Sequence, residues 1–122
     1  MSKIRQRVHA PSRGEICRID LDPTKGPKEI GKYRPCLILS PREYNEKTRL
    51  CVVVPISSDE ETDPLYVPVP DGLLELRSQA LCDRVMSLSW LSRQCQLITA
   101  APPEFVDEIV ATINDLIDPL EK

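Results

Sequence analysis

Two uninterrupted apolar runs, PCLILS at 35–40 and LCVVVPIS at 50–57, constrain the fold of this chain more than any other feature. Both are rich in aliphatic and β-branched residues, which is typical of strands covered on both faces. A chain of 122 residues is long enough to bury one core of this kind. The sequence therefore predicts a single, mostly β domain in which these runs are central strands.

Weaker patterns predict the outer strands. GEICRIDL alternates apolar and polar residues, and PLYVPVPDG reads as an edge strand because its prolines cannot donate ladder hydrogen bonds. SQALCDRVMSLS at 78–89 and QLITA at 96–100 are predicted as a fifth and a sixth strand. The result is a small, mostly antiparallel β-barrel.

The last third of the chain carries the one convincing helical pattern. After Pro102 and Pro103, apolar residues recur at spacings of three and four up to Ile117, and Pro119 follows. The opposite face is acidic. The barrel is therefore predicted to carry a C-terminal helix, which makes the fold α+β.

Charge is distributed unevenly along the chain. The total is −3, but residues 1–34 hold nine Lys/Arg against four Asp/Glu, and residues 101–122 hold one against six. One end can therefore present a local positive field although the total does not favour steering toward nucleic acid. Residues 1–12 are predicted to be a flexible basic arm that precedes one domain at 13–122.

Several classes of protein are disfavoured by what the sequence contains. No apolar run approaches the length of a membrane span. The five cysteines are odd in number and form no CxxC pair, which fits reduced thiols of a cytoplasmic protein and argues against a zinc site. We expect no metal and no cofactor.

Three polar residues stand where the strand pattern prefers apolar ones: Arg34, Ser57 and Asp83. Arg34 enters the first apolar run from the charged loop at 25–33, which predicts the wall of an anion-binding site. Asp83 shares a predicted pleat face with apolar neighbours and should be paired or line a pocket. Structural alternatives stay open: a strand-edge arginine, a serine that caps a turn, and an aspartate paired with Arg34 or Arg84.

Four segments, RGEICRIDLDPTKG, KYRPCLILS, VVVPISS and LCDRV, occur in this order between Arg13 and about Asp118. In this order they closely resemble the motifs of the MazF/PemK family of toxin ribonucleases. The resemblance implies an SH3-like barrel, also shared by the CcdB toxins, and a homodimer. It implies metal-independent cleavage of single-stranded RNA to 2′,3′-cyclic phosphate and 5′-hydroxyl ends, and inhibition by a cognate antitoxin.

The resemblance also implies roles for individual residues. Arg34 matches the arginine of the family's RP motif and would clamp the phosphate, Ser57 stands where many members have threonine, and Asp83 matches the aspartate of the CD pair. These three are the expected catalytic residues. The expected RNA-binding residues are Lys25, Lys28, Glu29, Lys32 and Arg84.

The chain departs from the family pattern after its fifth predicted strand begins. CDRVMS replaces the usual CDQxRT, so that Arg84 stands in place of glutamine and Met86 in place of arginine. Two alternatives to the nuclease are therefore kept: a degenerate homologue that binds RNA or an antitoxin without cutting, and a gyrase-poisoning toxin on the same fold.

Overall fold

The computed structural model describes residues 9–21, 33–59 and 63–119. In chain order the elements are β1 (Glu15–Asp20), β2 (Tyr33–Ile38), α1 (Arg42–Thr48), β3 (Leu50–Ser57), β4 (Tyr66–Pro68), β5 (Gln79–Leu81), a 3₁₀ turn (Cys82–Arg84), β6 (Met86–Ser89), β7 (Gln96–Ala100) and α2 (Pro103–Ile117). The two apolar runs of the sequence form β2 and β3, as predicted.

The strands form one antiparallel sheet in the order β4-β5-β3-β2-β1-β7. β3 divides its pairing between two partners: residues 50–53 pair with β6, and residues 56 and 57 pair with β5. β4 lies at one end of the order, which confirms the predicted edge strand. The sheet is barrel-like but does not close, because its end strands β4 and β7 are not neighbours.

Each central strand contributes to two cores because its side chains alternate between the two faces of the sheet. One face, with Leu37 and Val54, packs against Phe105 and Ile109 of α2. The other face holds a cysteine-rich core that contains Cys36 and is closed by further buried side chains, among them Ile19, Val53, Leu88 and Trp90. The continuous apolar composition of the central runs follows from this double burial. All five cysteines are buried free thiols.

The predicted C-terminal helix is confirmed as α2. Pro102 is its N-cap residue and Pro103 its first residue, where a missing N–H costs nothing. Phe105, Ile109 and Ile113 are buried at a spacing of four, so one face of the helix covers the sheet. No helix in the described ranges is both long and apolar enough to cross a membrane.

A buried asparagine anchors the short helix α1 to the rest of the domain. The Asn45 side-chain amide donates to the carbonyl oxygens of Pro11 at 2.8 Å and Ser40 at 3.0 Å, and the backbone carbonyl of Asn45 accepts the Trp90 indole N–H at 2.8 Å. Ala10 and Pro11 are themselves buried. The described end of the predicted arm, residues 9–12, is therefore packed against the domain.

The sequence analysis did not predict α1, which lies in the polar segment 41–49 and is stabilised through the buried Asn45 rather than through an apolar face. The prediction for residues 78–89 was wrong, because they were expected to be one strand. They form two, β5 and β6, because the 3₁₀ turn at Cys82–Arg84 interrupts the chain between its two partners on β3.

Candidate active site

Sheet register places Arg34 and Ser57 at the same end of the central strands. Cys36 of β2 lies opposite Pro55 of β3, and the paired residues of the two strands end there. Arg34 lies two residues before Cys36, and Ser57 lies two residues after Pro55, so both extend the same pleat face beyond the last pair. Two of the three residues predicted to be catalytic are thus at the same end of adjacent strands.

Arg34 borders a pocket of about 320 Å³. Pro35, Ile56 and Ile98 of the sheet line it, and so does the loop between β4 and β5 through residues 73–76 and Ser78. A second arginine, Arg18 of β1, lines the same pocket from its position opposite Pro35. Both arginines are half-buried. The pocket lining is therefore about half apolar, and it includes two arginines and the acidic Glu75.

The sequence analysis missed Arg18. The signal was available, because Arg18 lies two residues after Ile16 and shares its inward pleat face. The same reasoning was applied to Asp83 but not to β1, where the charged residue was read as part of an ordinary alternation.

Arg18 and Arg34 have no acidic partner within ion-pair distance among the residues that the structure describes. Glu75 lines the same pocket and is not within ion-pair distance of either arginine. Two arginines against one carboxylate leave an excess of positive charge at the pocket, which can accommodate an anion. Arg18 is therefore a second arginine that can belong to the anion-binding wall predicted beside Arg34.

Beneath Arg34 lies a thiol that is held neutral. The Cys36 Sγ donates to the backbone carbonyl of Arg34 at 3.6 Å. Burial raises the Cys36 pKa far above its ordinary value, and the neighbouring Cys51 and Cys95 add to this, although Arg34 opposes it. Cys36 is therefore a packing residue and not a nucleophile, because thiolate is the reactive form.

Ser57 is buried at 6 % exposure, and its Oγ accepts the backbone N–H of Asp59 at 3.1 Å. This contact is the turn cap that was kept as the structural alternative. A hydroxyl group has one proton to donate and two lone pairs. Because the Asp59 contact uses a lone pair, the Ser57 proton stays available for a phosphate oxygen, so the capping and catalytic roles are compatible.

Asp83 lies in a different setting from Arg34. It is the middle residue of the 3₁₀ turn, its side chain is about a third exposed, and it does not line the pocket. Its described partner is Arg84, with Nε 3.9 Å from Oδ1. The pleat-face argument for Asp83 was wrong because the residue is not in a strand. Its catalytic role and the RNA-binding role of Arg84 stay predictions.

Asp83 contributes to the raised pKa of its neighbour Cys82. Burial raises the pKa of the Cys82 thiol to about 11, and the negative charges of Asp83 and Glu108 contribute to the increase. The turn therefore lies in a locally negative environment near α2, in contrast to the positive pocket.

The remaining predicted RNA-binding residues, Lys25, Lys28, Glu29 and Lys32, lie outside the described residues. Within the described ranges, no three His, Cys, Asp or Glu side chains are placed to hold a metal ion.

An open antiparallel sheet with a C-terminal helix and an arginine-lined pocket at one end of its central strands defines a small β-rich protein built to bind an anion. Residues 12–117 match the sequence model of a family described as PemK-like, MazF-like toxin of type II toxin-antitoxin system. The chain belongs to this family. The match confirms the resemblance drawn from the four motifs and covers nearly the same residues.

Individual relatives agree with the family match. The endoribonuclease toxin MazF of Escherichia coli K12 is 36 % identical over 109 residues, which is 89 % of this chain and 96 % of that protein. MazF from Deinococcus radiodurans superposes with a TM-score of 0.83 at 29 % identity, over 89 % of this chain and 97 % of the other. A MazE-MazF structure from the same organism gives 0.77 at 27 % identity, over 90 % and 97 %.

Proposed function

We propose that this protein is the toxin of a type II toxin–antitoxin pair and an endoribonuclease that cuts single-stranded RNA. The observation that carries the proposal is the half-buried Arg34, which lies at the same end of the central strands as Ser57 and borders a pocket shared with Arg18. Family membership and 36 % identity to a named endoribonuclease support the same activity.

The reaction that these groups suit is an internal transesterification. The ribose 2′-oxygen attacks the adjacent phosphorus, a bond to the 5′-oxygen breaks, and the products carry a 2′,3′-cyclic phosphate and a 5′-hydroxyl. Arg34 clamps two phosphate oxygens with its planar fork, and the Ser57 hydroxyl donates to the phosphate. Positive charge that is already in place where negative charge develops lowers the barrier most in a partly desolvated site.

Two protons must also move in this reaction. The 2′-hydroxyl gives one to a base, and the departing 5′-oxygen receives one from an acid. Arg34 is close to the phosphate and is proposed as the donor. Two carboxylates could be the acceptor, Glu29 and Asp83. Asp83 is partly exposed and does not line the pocket, so Glu29, which lies outside the described residues, is the one we propose.

A cleavage assay in chelator tests the activity. A mixed RNA substrate is incubated with purified protein in EDTA, and the new ends are labelled with polynucleotide kinase. We expect fragments whose 5′-hydroxyl ends accept label without phosphatase treatment. An Arg34→Ala preparation excludes contaminating nuclease.

Loss of all cutting in EDTA, with recovery in a divalent ion, would contradict metal-free cleavage. RNA binding without any fragments would instead fit the degenerate binding module.

A cognate antitoxin is proposed as the protein partner because solved relatives include MazE-MazF complexes. We propose that it competes with RNA for Arg34 and the lysine-containing segment that precedes it in sequence, 25–32, and that the pair acts in the cytoplasm. Competition is measured as the loss of RNA binding on adding antitoxin, and simultaneous binding of both would contradict it.

A homodimer is also proposed. Large apolar side chains on β7 and at the end of α2 are exposed, with Leu97 at 54 % and Ile117 at 73 %, and an interface between two copies would cover such surface. Light scattering at micromolar concentration tests this proposal, and a strictly monomeric mass would contradict it.

A further inference from the structure

The pocket beside Arg34 has features that phosphate binding does not use. A phosphodiester is small and polar, yet this pocket is about 320 Å³ in volume, and about half of its lining is apolar. Ile56 is 1 % exposed, and Leu73 and Leu74 are half-buried and pack against the core. Pockets of this size hold small organic groups between apolar walls and a few polar contacts. In an RNA substrate, the flat group next to a phosphate is a nucleobase.

The loop that completes the pocket is held by its own hydrogen bonds. The Val69 N–H donates to the Ser78 carbonyl at 2.9 Å, and the Ser78 hydroxyl donates to the Leu76 carbonyl at 2.8 Å. The chain turns at Gly72, whose φ of +85° favours glycine. Residues 73–76 are thereby fixed over the sheet, so that Glu75 has a defined position at the rim.

Arg18 and Glu75 both line this pocket, and they do not form an ion pair with each other or with any other described residue. Arg18 thus brings a fork of donors to the pocket, and Glu75 brings a pair of acceptors. A ligand that presents two adjacent acceptors and two adjacent donors satisfies both groups.

Guanine is the base with that pattern. Its O6 and N7 are adjacent acceptors, which arginine binds bidentately, and its N1–H and 2-amino group are adjacent donors, which a carboxylate accepts bidentately. Adenine has an amino group in place of O6. Uracil lacks two adjacent donors, and cytosine offers a carboxylate only its 4-amino group.

We propose that this pocket binds a guanine base beside the scissile phosphate, with Arg18 contacting O6 and N7 and Glu75 contacting N1–H and the 2-amino group. The pocket thus determines which base is preferred at one position of the RNA sequence that is cut. The inference rests on the proposed ribonuclease function and extends it from the reaction to the substrate.

Sequencing of cleavage products tests the assignment. A randomised single-stranded RNA pool is cut by the wild type, by Arg18→Met, which keeps the apolar stem, and by Glu75→Gln, which keeps the shape. We expect the wild type to favour guanine at one position within about two nucleotides of the cut. One bidentate base contact discriminates by roughly 10- to 100-fold. Each variant should lose most of this preference and keep the preferences at other positions.

Two control variants make the same charge changes outside the pocket. Arg42→Met removes an exposed arginine on α1, and Asp71→Asn changes the carboxylate at the start of the same loop, which does not line the pocket. Both should retain the wild-type preference. A wild type without guanine preference near the cut, or unchanged preference in both pocket variants, would overturn the proposal.

A binding experiment separates failure of this inference from failure of the proposed function. Short oligonucleotides with 2′-O-methyl riboses cannot be cut because they have no 2′-hydroxyl nucleophile. One guanosine is replaced by inosine, which lacks the 2-amino group, or by 7-deazaguanosine, which lacks N7. Inosine should weaken binding to the wild type but not to Glu75→Gln, and 7-deazaguanosine should weaken binding to the wild type but not to Arg18→Met.

Equal binding of all three oligonucleotides by the wild type would overturn the guanine pocket even where the RNA pool is cut normally. Selective binding without cleavage would support the pocket and contradict the nuclease.

Discussion

The pocket end of the central strands and the 3₁₀ turn at Cys82–Arg84 look alike in sequence, since each places a polar residue next to an apolar run. In the structure they differ in charge and in construction. Arg34 is half-buried at a pocket with Arg18 and lacks a described counter-ion, whereas Asp83 is partly exposed beside Arg84. Register fixes the neighbours of a strand residue, but a turn gives its residues no such partners. A polar residue in an apolar run is therefore informative only if the run continues as a strand through it.

The substitution with the largest expected effect on cleavage is Arg34→Ala, at the pocket end of the central strands. We expect cleavage to fall by about 10²- to 10³-fold because one phosphate-clamping donor is lost where charge develops. Arg34→Lys should recover only part of the rate, since an ammonium group keeps the charge but not the planar fork. Rates are measured on a single RNA substrate under single-turnover conditions.

Thermal unfolding of both Arg34 variants is the control, and we expect midpoints near that of the wild type because the side chain is not part of either core. Full activity in a folded Arg34→Ala protein would show that the pocket end of the central strands takes no part in cleavage.

Ser57→Ala should have a smaller effect. A hydrogen bond from a hydroxyl to a charged oxygen corresponds to about a 10- to 100-fold change in rate. Ser57→Thr keeps the hydroxyl and should stay near the wild-type rate, which separates loss of the donor from disturbance of the strand end. Because Ser57 also accepts the Asp59 N–H, unfolding midpoints are compared for both variants. An alanine variant as active as the threonine variant would show that the hydroxyl is only a turn cap.

Asp83→Asn should have the smallest effect on cleavage, less than about threefold by the reasoning that exposed charge pairs contribute little. A loss as large as that of Arg34→Ala would instead make Asp83 the proton acceptor and would merge the two regions into one site. This single measurement decides whether the catalytic role predicted from the family motif holds.

The same variant has a second readout that depends only on the turn. The Cys82 thiol has a folded-state pKa of about 11 against an ordinary 9.0, first because of burial and then because of Asp83 and Glu108. Ionisation of the thiol therefore favours the unfolded chain, so its contribution to stability is complete below pH 9 and is lost as the pH rises to about 11. Asp83→Asn removes one of the negative charges, lowers this pKa, and should reduce that loss. Urea unfolding at pH 8 and at pH 10.5 measures it, and an unchanged difference would contradict the coupling.

How far the sequence predicted the molecule depended on whether a residue's environment was local. β2 and β3 were predictable because burial on both faces produces a continuous apolar run. α2 was predictable because its apolar residues recur with a period of 3.6 residues within one segment. α1 was not, since it depends on Asn45 reaching Pro11 and Trp90, which are distant in sequence. The fifth strand failed for a related reason: its apolar pattern continues through a turn that only the pairing with β3 reveals.

The site was predicted in part for the same reasons. Arg34 and Ser57 flank apolar runs, and their place at the same end of adjacent strands follows from the pairing of those runs. Arg18 becomes significant only when β1 and the loop at 73–78 are brought to the same pocket, which no local pattern states. Residue-level chemistry therefore pointed to the phosphate contacts, and three-dimensional placement was needed to find the second arginine.

The pocket is made of two parts that differ in how freely their residues can be substituted. Its floor belongs to strands whose alternate residues build two cores, so few substitutions there leave the fold intact. Its rim is a self-bonded loop between the short strands β4 and β5, at the free edge of the sheet. Mutation can therefore remodel the rim while the phosphate-binding residues stay fixed. Related proteins can therefore change which RNA sequence they recognise while the chemistry at the phosphate stays the same.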